Sequence, residues 1–304
     1  MDKKVVIVTH DGMFHADDVF AVAALLCLLD TAPVLATIVR TRDEDIIRKA
    51  DFVVDVGAVY DAEKNRFDHH QAGGAGKRPN GLPAQAGIPY AAFGLVWRKF
   101  GQTIALSEAV AEIVDQNLAA PIDAGDNGVD IYKKTFADVG PYLVDGYLHN
   151  IRPTWQEGTG MLDERFLEAV GAARQVLKRE IAHAAARAAA TALVRQAYDL
   201  AADKRLIALD AFYPHEKILA EYPEPLFVIF PKPDGVWNVK AIRDDTASFK
   251  NRKDLPADWA GKRDRELAEL TGVPDALFCH NGRFMAVARS REGAIALAQK
   301  ALQS

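Results

Sequence analysis

The chain has 304 residues, 49% of them hydrophobic and 26% charged, with a formal net charge of −5. That is enough to bury one large core or two modest ones, two domains being the better expectation, and it excludes collagen-like, fibrous or wholly disordered chains. The acidic balance also argues against a protein held to long duplex DNA by charge alone, and leaves short or single-stranded phosphate substrates open.

The first eight residues, Met1-Asp2-Lys3-Lys4-Val5-Val6-Ile7-Val8, have too short an apolar part for a secretory segment. Val5 to Thr9 is an apolar β-branched run and predicts a buried strand. Asp17 to Leu29 predicts a helix, and its apolar run from Val19 to Leu29 is too short to span a bilayer. Cytoplasm is the expected location. Of the two cysteines, Cys27 lies in this run, where a thiol behaves as a small hydrophobe, and Cys279 is far away in sequence. No Cys-x-x-Cys spacing exists, so a thiolate zinc site or redox motif has no support, and the pair fits a reducing compartment.

Val34 to Val39 predicts a second strand, Asp43 to Lys49 a short charged helix and Phe52 to Val56 a third strand. Strands alternating with helices predict a parallel sheet covered on both faces. Ala72 to Pro89 is Gly-, Pro- and Ala-rich and predicts a long functional loop. Tyr90 to Phe100 and Ser107 to Leu118 predict helices, with Ser107 as N-cap, and Pro121 and the Gly125-Asp126-Asn127-Gly128 turn are expected to stop the second. Asp163 to Ala202 predicts long helix. In the last hundred residues, Leu206 to Leu209, Leu226 to Phe230, Trp237 to Ile242, Leu277 to Cys279 and Phe284 to Ala288 predict strands, and Lys262 to Leu270 and Glu292 to Leu302 helices.

Four segments carry the chemistry. Thr9-His10-Asp11-Gly12-Met13-Phe14-His15-Ala16-Asp17-Asp18 links the first strand to the first helix, where an open parallel sheet binds its ligands. Asp55 falls in or at the end of an apolar strand, a costly place for a carboxylate that is not paired, hydrogen-bonded or metal-bound. Asp68-His69-His70 precedes the Gly-rich loop, and Asp123 and Asp126 flank a turn after a helix. Singly, each is more readily a cap, a turn residue or a solvated side chain. Together, at the ends of strands and helices, they fit hard oxygen and imidazole ligation of Mn²⁺, Mg²⁺, Zn²⁺ or Fe²⁺, and their number points to two ions rather than one. Two ions suit phosphoester cleavage.

These residues carry a resemblance. Asp68-His69-His70, preceded by a His/Asp segment and an Asp-tipped strand, resembles the DHH phosphoesterase superfamily of RecJ-type exonucleases, nanoRNA phosphatases and family II inorganic pyrophosphatases. The chain is more similar still to the MYG1 (UPF0160) family, through the first segment, Val54-Asp55-Val56-Gly57, Phe67-Asp68-His69-His70-Gln71, Asp123-Ala124-Gly125-Asp126-Asn127-Gly128, Pro153-Thr154-Trp155 and Phe278-Cys279-His280. The resemblance covers nearly the whole chain. It implies two Mn²⁺-like ions held by His10, His15, Asp17, Asp55 (bridging), His69 and Asp126. It implies His70 facing the substrate phosphate as acid or electrostatic stabiliser, with Asp68 orienting its neighbours. At His15 many DHH enzymes have Asp, and between Asp123 and Asp126 the choice of ligand is open. The helix opening Tyr90-Ala91-Ala92-Phe93-Gly94 also lacks the Ser-rich start of MYG1 relatives.

The resemblance nominates Arg243 and His280 for substrate binding, alongside Asn127. Gly73-Gly74-Ala75-Gly76-Lys77-Arg78 lacks the Ser/Thr of a phosphate loop, so a mobile loop bringing Lys77 and Arg78 to substrate is the better reading. The stretch Arg243, Lys250, Arg252 and Lys253 is interleaved with acids and reads as solvated surface. His280-Asn281-Gly282 also fits an ordinary hairpin turn, and Trp97, Trp155, Trp237 and Trp259 fit core. The resulting expectation is an α/β chain. Residues 1–160 form a DHH-like, parallel-sheet, metal-binding catalytic domain, 161–205 a helical connector, and 206–304 a smaller substrate-binding α/β domain. The expected function is a metal-dependent phosphodiesterase, an exonuclease of 3′-5′ type, that releases nucleotides from short or single-stranded RNA or DNA through metal-activated water. The alternatives are a small-molecule phosphatase or pyrophosphatase with the same two-metal site, and a non-catalytic metal-binding scaffold. Structural zinc sites prefer closed Cys/His shells, so this open, carboxylate-rich set favours catalysis. No membrane partner is expected. The long Ala-rich helix could mediate a homodimer, and a linker helix explains it equally well.

Overall fold

A computed structural model of the chain describes residues 3–30, 33–79, 87–136, 138–245 and 248–304. The chain is a mixed α/β protein that divides into two units, Met1–Ala185 and Ala186–Ser304, each with its own five-stranded sheet.

In the first unit the apolar run at the N-terminus forms β1 (Lys3–Thr9), which leads into α1 (Ala16–Leu29). Then follow β2 (Val34–Arg40), α2 (Glu44–Lys49), capped by the Asp43 carboxylate, and β3 (Phe52–Val54). Two very short strands, β4 (Tyr60–Asp61) and β5 (Arg66–Phe67), complete the sheet in the order β2-β1-β3-β5-β4. The expected parallel pairing holds from β2 to β5, but β4 runs antiparallel along the edge. Two-residue strands carry too little periodicity to be read from sequence.

Helix α1 is apolar on every side and almost wholly buried. Its partner is α3 (Ala92–Ala105), and Phe20 and Phe93 meet with ring centroids 5.3 Å apart. Burying each such ring contributes about 1.5–3 kcal/mol, which anchors the helix whose first turn enters the site.

After α3 come α4 (Glu108–Val114), a π-helical turn at Asp115–Ala119 and α5 (Ala120–Asp126). Ser107 does cap α4, its hydroxyl accepting from the Val110 amide. The expectation that Pro121 stops the helix is not met. The π turn starts a new helical segment with Pro121 in its first turn, where a missing N–H costs nothing, and helix continues to Asp126. Pi turns of this kind collect at functional sites.

The expected loop from Ala72 to Pro89 lies partly outside the described residues, at 80–86. Its described flanks meet: Lys77 bridges Pro89, and the Arg78 amide donates to the Ile88 carbonyl at 2.9 Å. The Arg78 side chain turns inward. It donates to both Asp115 oxygens at 2.8 and 3.0 Å and to Asp123 Oδ2 at 2.8 Å. Asp123 Oδ1 accepts from the Gly94 amide at 3.0 Å. One buried guanidinium thus ties the loop to the π turn, α5 and the start of α3. Only glycine fits at 94, because a Cβ there would stand 1.8 Å from Asp123 Oδ2.

Helix α6 (Val144–His149), which gives no clear sequence signal, precedes the 39-residue α7 (Leu162–Leu200), the long helix that was expected. The boundary between the units falls inside α7. The second unit holds β6 (Leu206–Ala208), α8 (Glu216–Ala220), β7 (Phe227–Pro231) and β8 (Trp237–Ala241). It ends with α9 (Asp264–Thr271), β9 (Ala276–Cys279), β10 (Met285–Ala288) and α10 (Arg291–Gln303). The strand order is β6-β7-β8-β10-β9, mostly antiparallel, and Leu297 and Ala298 of α10 pack on Phe227, Val239 and Ala286. Among the described residues no helix is long and apolar enough to cross a membrane.

Replacing Gly94 by Ala should break the Arg78–Asp123 arrangement and cost about 3 kcal/mol or more, the usual range for disrupting a buried ion pair. Urea denaturation would read this as a lowered midpoint, and an unchanged midpoint would show that Asp123 does not hold α3.

Candidate metal centre

The link between β1 and α1 is fixed before any ligand enters. The buried Arg40 side chain donates to the Gly12 carbonyl and to Asp163 Oδ1 at 2.6 Å, and stacks over Phe166 at 4.8 Å. His15 occupies the N-cap of α1, and its amide donates to Asp18 Oδ1 at 2.8 Å. Asp17 and Asp18 therefore sit in the first turn with their charge facing the positive end of the helix. Both are completely buried.

Strand β3 ends at Val54, two residues earlier than expected, and Asp55 has φ +55°. Gly57 and Ala58 also have positive φ, at +92° and +52°. A non-glycine left-handed residue costs on the order of 1–2 kcal/mol and is tolerated where the surroundings determine it. Here the Ala58 amide donates to Asp68 Oδ2 at 2.6 Å. The same carboxylate, through Oδ1, accepts from the His70 amide at 3.0 Å and faces His70 Nδ1 at 2.8 Å. Asp68 thus welds the turn after β3 to the His69-His70 pair.

The expected residues converge. His10 Nε2 lies 3.3 Å from Asp55 Oδ2 and 3.4 Å from Asp18 Oδ2. His69 Nε2 lies 3.2 Å from Asp126 Oδ2, 3.4 Å from Asp55 Oδ1 and 3.8 Å from Asp17 Oδ2. His70 Nδ1 lies 3.3 Å from Asp55 Oδ1. Ligand atoms within 4.8 Å of one another fall into three groups: His10, His15 and Asp55; Asp55, His69 and His70; and His15, Asp17 and Asp126. Asp55 and His15 each belong to two groups.

Four carboxylates, Asp17, Asp18, Asp55 and Asp126, crowd here, and among the described residues only histidines pair with them within 4 Å. Like charges 4 Å apart repel by about 4 kcal/mol at an effective dielectric of 20. The electrostatics answer to this. Burial pushes the Asp17 carboxyl well above the usual carboxylate range, helped by Asp55, Asp126 and Asp18. Burial also carries Asp18 up to about 7, against His10. Asp55 goes the other way: burial would raise it, but His10 and His69 bring it down to about 2. His15 is lowered by burial and by Arg152. Asp55 is thus the fixed anion of the cluster.

Asp17 Oδ1, Asp18 Oδ2, Asp55 Oδ1 and His69 Nε2 are buried, and among the described residues they have no hydrogen-bond partner. Buried polar atoms without partners are rare and call for an ion or water. Hard oxygens with borderline imidazoles and no thiolate suit Mn²⁺, Mg²⁺, Zn²⁺ or Fe²⁺. The donor set fits a divalent cation.

The remaining expected residues lie elsewhere. Asp123 is fully buried; burial raises it to about 7, and Arg78 and the Gly94 amide oppose this. Arg78, expected at the substrate, is instead buried, because its guanidinium answers Asp115 and Asp123. Lys77 is exposed on the ribbon beside it. Asn127 donates to the Asp123 carbonyl at 2.9 Å and lines a cavity next to His69. Arg243 and His280 belong to the second unit, where Arg243 stacks over Phe249 at 4.9 Å and His280 Nδ1 accepts from the Gly282 amide at 2.9 Å. Sequence reasoning missed the Arg78 partner Asp115, which lies in a helix with nothing to set it apart from a solvated acid. It also passed over Asp18 as an ordinary helix-start acid, although its place three residues after the His15 cap is a capping-box signal.

Fold and site together define a mixed α/β protein with a candidate divalent-metal centre built from His and Asp. The family model described as an uncharacterised protein family (UPF0160), the MYG1 exonuclease model, matches residues 6–302, and the chain belongs to that family. It is 32% identical to a MYG1 protein of Schizosaccharomyces pombe over 99% of this chain and 98% of that one. It is 30% identical to the MYG1 protein of Dictyostelium discoideum, over 97% and 96%. It is 28% identical to the human MYG1 exonuclease, over 97% of this chain and 85% of that one.

Asp17→Asn keeps an acceptor for the Ala92 amide but removes a buried charge. The metal-free variant should be more stable than the wild type by about 1 kcal/mol at pH 7–8, while Mn²⁺ affinity falls at least about tenfold. Melting curves in EDTA and isothermal titration with Mn²⁺ would check both, and equal Mn²⁺ affinity would remove Asp17 from the centre.

Proposed function

We propose that this chain is a metal-dependent phosphodiesterase that shortens single-stranded RNA or DNA from an end. The observation that carries the reading is the set of buried, unpartnered carboxylate oxygens of Asp17, Asp18 and Asp55, set behind a cavity of about 960 Å³ that Asp55 lines together with His10, His15, Asp68 and His70. A cavity of that volume takes a drug-sized ligand and is roomier than pyrophosphate needs, which favours an oligonucleotide over the small phosphate ester. The exonuclease name of the mammalian relatives supports the same choice.

His10, His15, Asp17, Asp55, His69 and Asp126 would hold two divalent ions, Mn²⁺ first among the candidates, with Asp55 shared. Such ions supply a nucleophilic water at neutral pH and neutralise the phosphoryl oxygens. Asp126 rather than Asp123 is the ligand, since Asp123 is taken by Arg78 and the Gly94 amide. Asp68 binds His70 at Nδ1 and its amide, which fixes the ring and leaves Nε2 for the cavity. A proton on that Nε2 would either pass to the leaving oxygen as its bond to phosphorus breaks, leaving a neutral imidazole, or stay on the ring and stabilise the charge on the departing group by hydrogen bond. Lys77, exposed beside the ribbon, would meet substrate phosphate, and Asn127 would meet a base. Arg78 keeps a positioning role. For Arg243 and His280 the family resemblance supports substrate binding.

Purified protein incubated with a short end-labelled RNA should shorten it stepwise with Mn²⁺ and leave it intact in EDTA. Asp55→Asn should abolish shortening, and His70→Ala should slow it about 10²–10³-fold, the usual effect of removing one electrostatic stabiliser. No shortening with any divalent ion, or full activity in Asp55→Asn, would sink the proposal.

A further inference from the structure

The His/Asp cluster is a wall shared by two cavities of the first unit. His15 and His70 line both, one of about 960 Å³ and one of about 920 Å³. Their chemistry differs. Arg42, Arg48 and Lys64 face the first. These cations are loosely engaged: Arg42 meets Asp11 at 3.3 Å with both side chains more than half exposed, and the Lys64 side chain is 78% exposed. Exposed ion pairs contribute little, so a phosphate can replace the carboxylate partner. The second cavity is lined by Leu118, Pro121, Ile122, Tyr142 and Leu143, with the amides of Asn117 and Asn127. Tyr142 is 71% exposed, and its hydroxyl accepts from Asn150 Nδ2 at 2.8 Å, which holds the ring while leaving a face open.

A single strand presents the same two chemistries: an anionic backbone that seeks Lys and Arg, and flat bases that stack on aromatic rings. Resting on the phosphodiesterase reading, we propose that the terminal nucleoside enters the Tyr142 cavity, with its base against that ring. The phosphates of the following nucleotides then run past Arg42, Arg48 and Lys64, and the first phosphodiester lies at the cluster between. Tyr142 is the residue that recognises the end base, and Arg42 and Arg48 are the residues that recognise chain length.

Fluorescence anisotropy of a labelled single-stranded hexanucleotide on the intact protein tests this, with Ca²⁺ in place of Mn²⁺ to limit turnover. Tyr142→Ala should weaken binding about tenfold or more, in line with the loss of one stacked base. It should leave unchanged the affinity for a hexanucleotide with an abasic terminal residue, and Tyr142→Phe should bind as the wild type does. The double variant Arg42→Ala/Arg48→Ala should flatten the dependence of log affinity on log salt by about 1–2 and leave a dinucleotide monophosphate bound as before. Equal losses on intact and abasic ends, an unchanged salt slope, or no binding of the hexanucleotide by the wild type would each overturn the assignment. Hydrolysis measured in parallel keeps the two readings apart. Cleavage that ignores Tyr142 removes only the subsites, whereas Tyr142-dependent binding without cleavage removes only the phosphodiesterase.

Discussion

The first unit is arranged around the burial of Asp17, Asp18 and Asp55, which among the described residues form ion pairs with histidines and with no lysine or arginine. Asp17 and Asp18 enter the core on the first turn of α1, and Asp55 joins them from a strained turn at the end of β3. Placing such charges out of water costs several kcal/mol each unless a counter-charge is close. Histidines supply part of that counter-charge, and a divalent cation would supply the rest. The supporting structure exists to hold the arrangement open: Arg40 clamps the Gly12 carbonyl, Asp68 clamps Ala58 and His70, and Phe20 against Phe93 seats α1.

The protein handles two carboxylates of α5, the buried Asp123 and the exposed Asp126, in opposite ways a few residues apart. Asp123 is fully paired, by Arg78 and by the Gly94 amide, and its role is to fasten α3, α5 and the Gly-rich ribbon together. Asp126, one turn of helix later, is left for His69 at 3.2 Å. Within α5, which follows the π turn, one acid faces the Arg78 guanidinium and the other faces His69. Geometry of this kind separates a carboxylate locked in an ion pair from one that faces the histidine cluster, although sequence spacing makes the two look alike.

Most of the architecture and the cluster could be read from sequence because their signals are local. An apolar strand with an acid at its tip, a helix that is apolar on every side, and the Asp68-His69-His70 triplet each violate the ordinary rule that charge stays outside. What escaped reading depends on partners distant in sequence. Strands β4 and β5 have two residues each and exist only through pairing. Pro121 looked like a helix end because a π turn leaves no compositional trace. Arg78 looked like a loop cation because its partners, Asp115 and Asp123, lie 37 and 45 residues away. The two cavities beside the cluster are likewise built from segments that no motif joins.

Anomalous diffraction from a crystal soaked in Mn²⁺ tests the central claim most directly. The account predicts two peaks within the His/Asp cluster, sharing Asp55, with Asp126 and not Asp123 as a ligand. No peak there, or manganese bound only by exposed acids elsewhere, would contradict it.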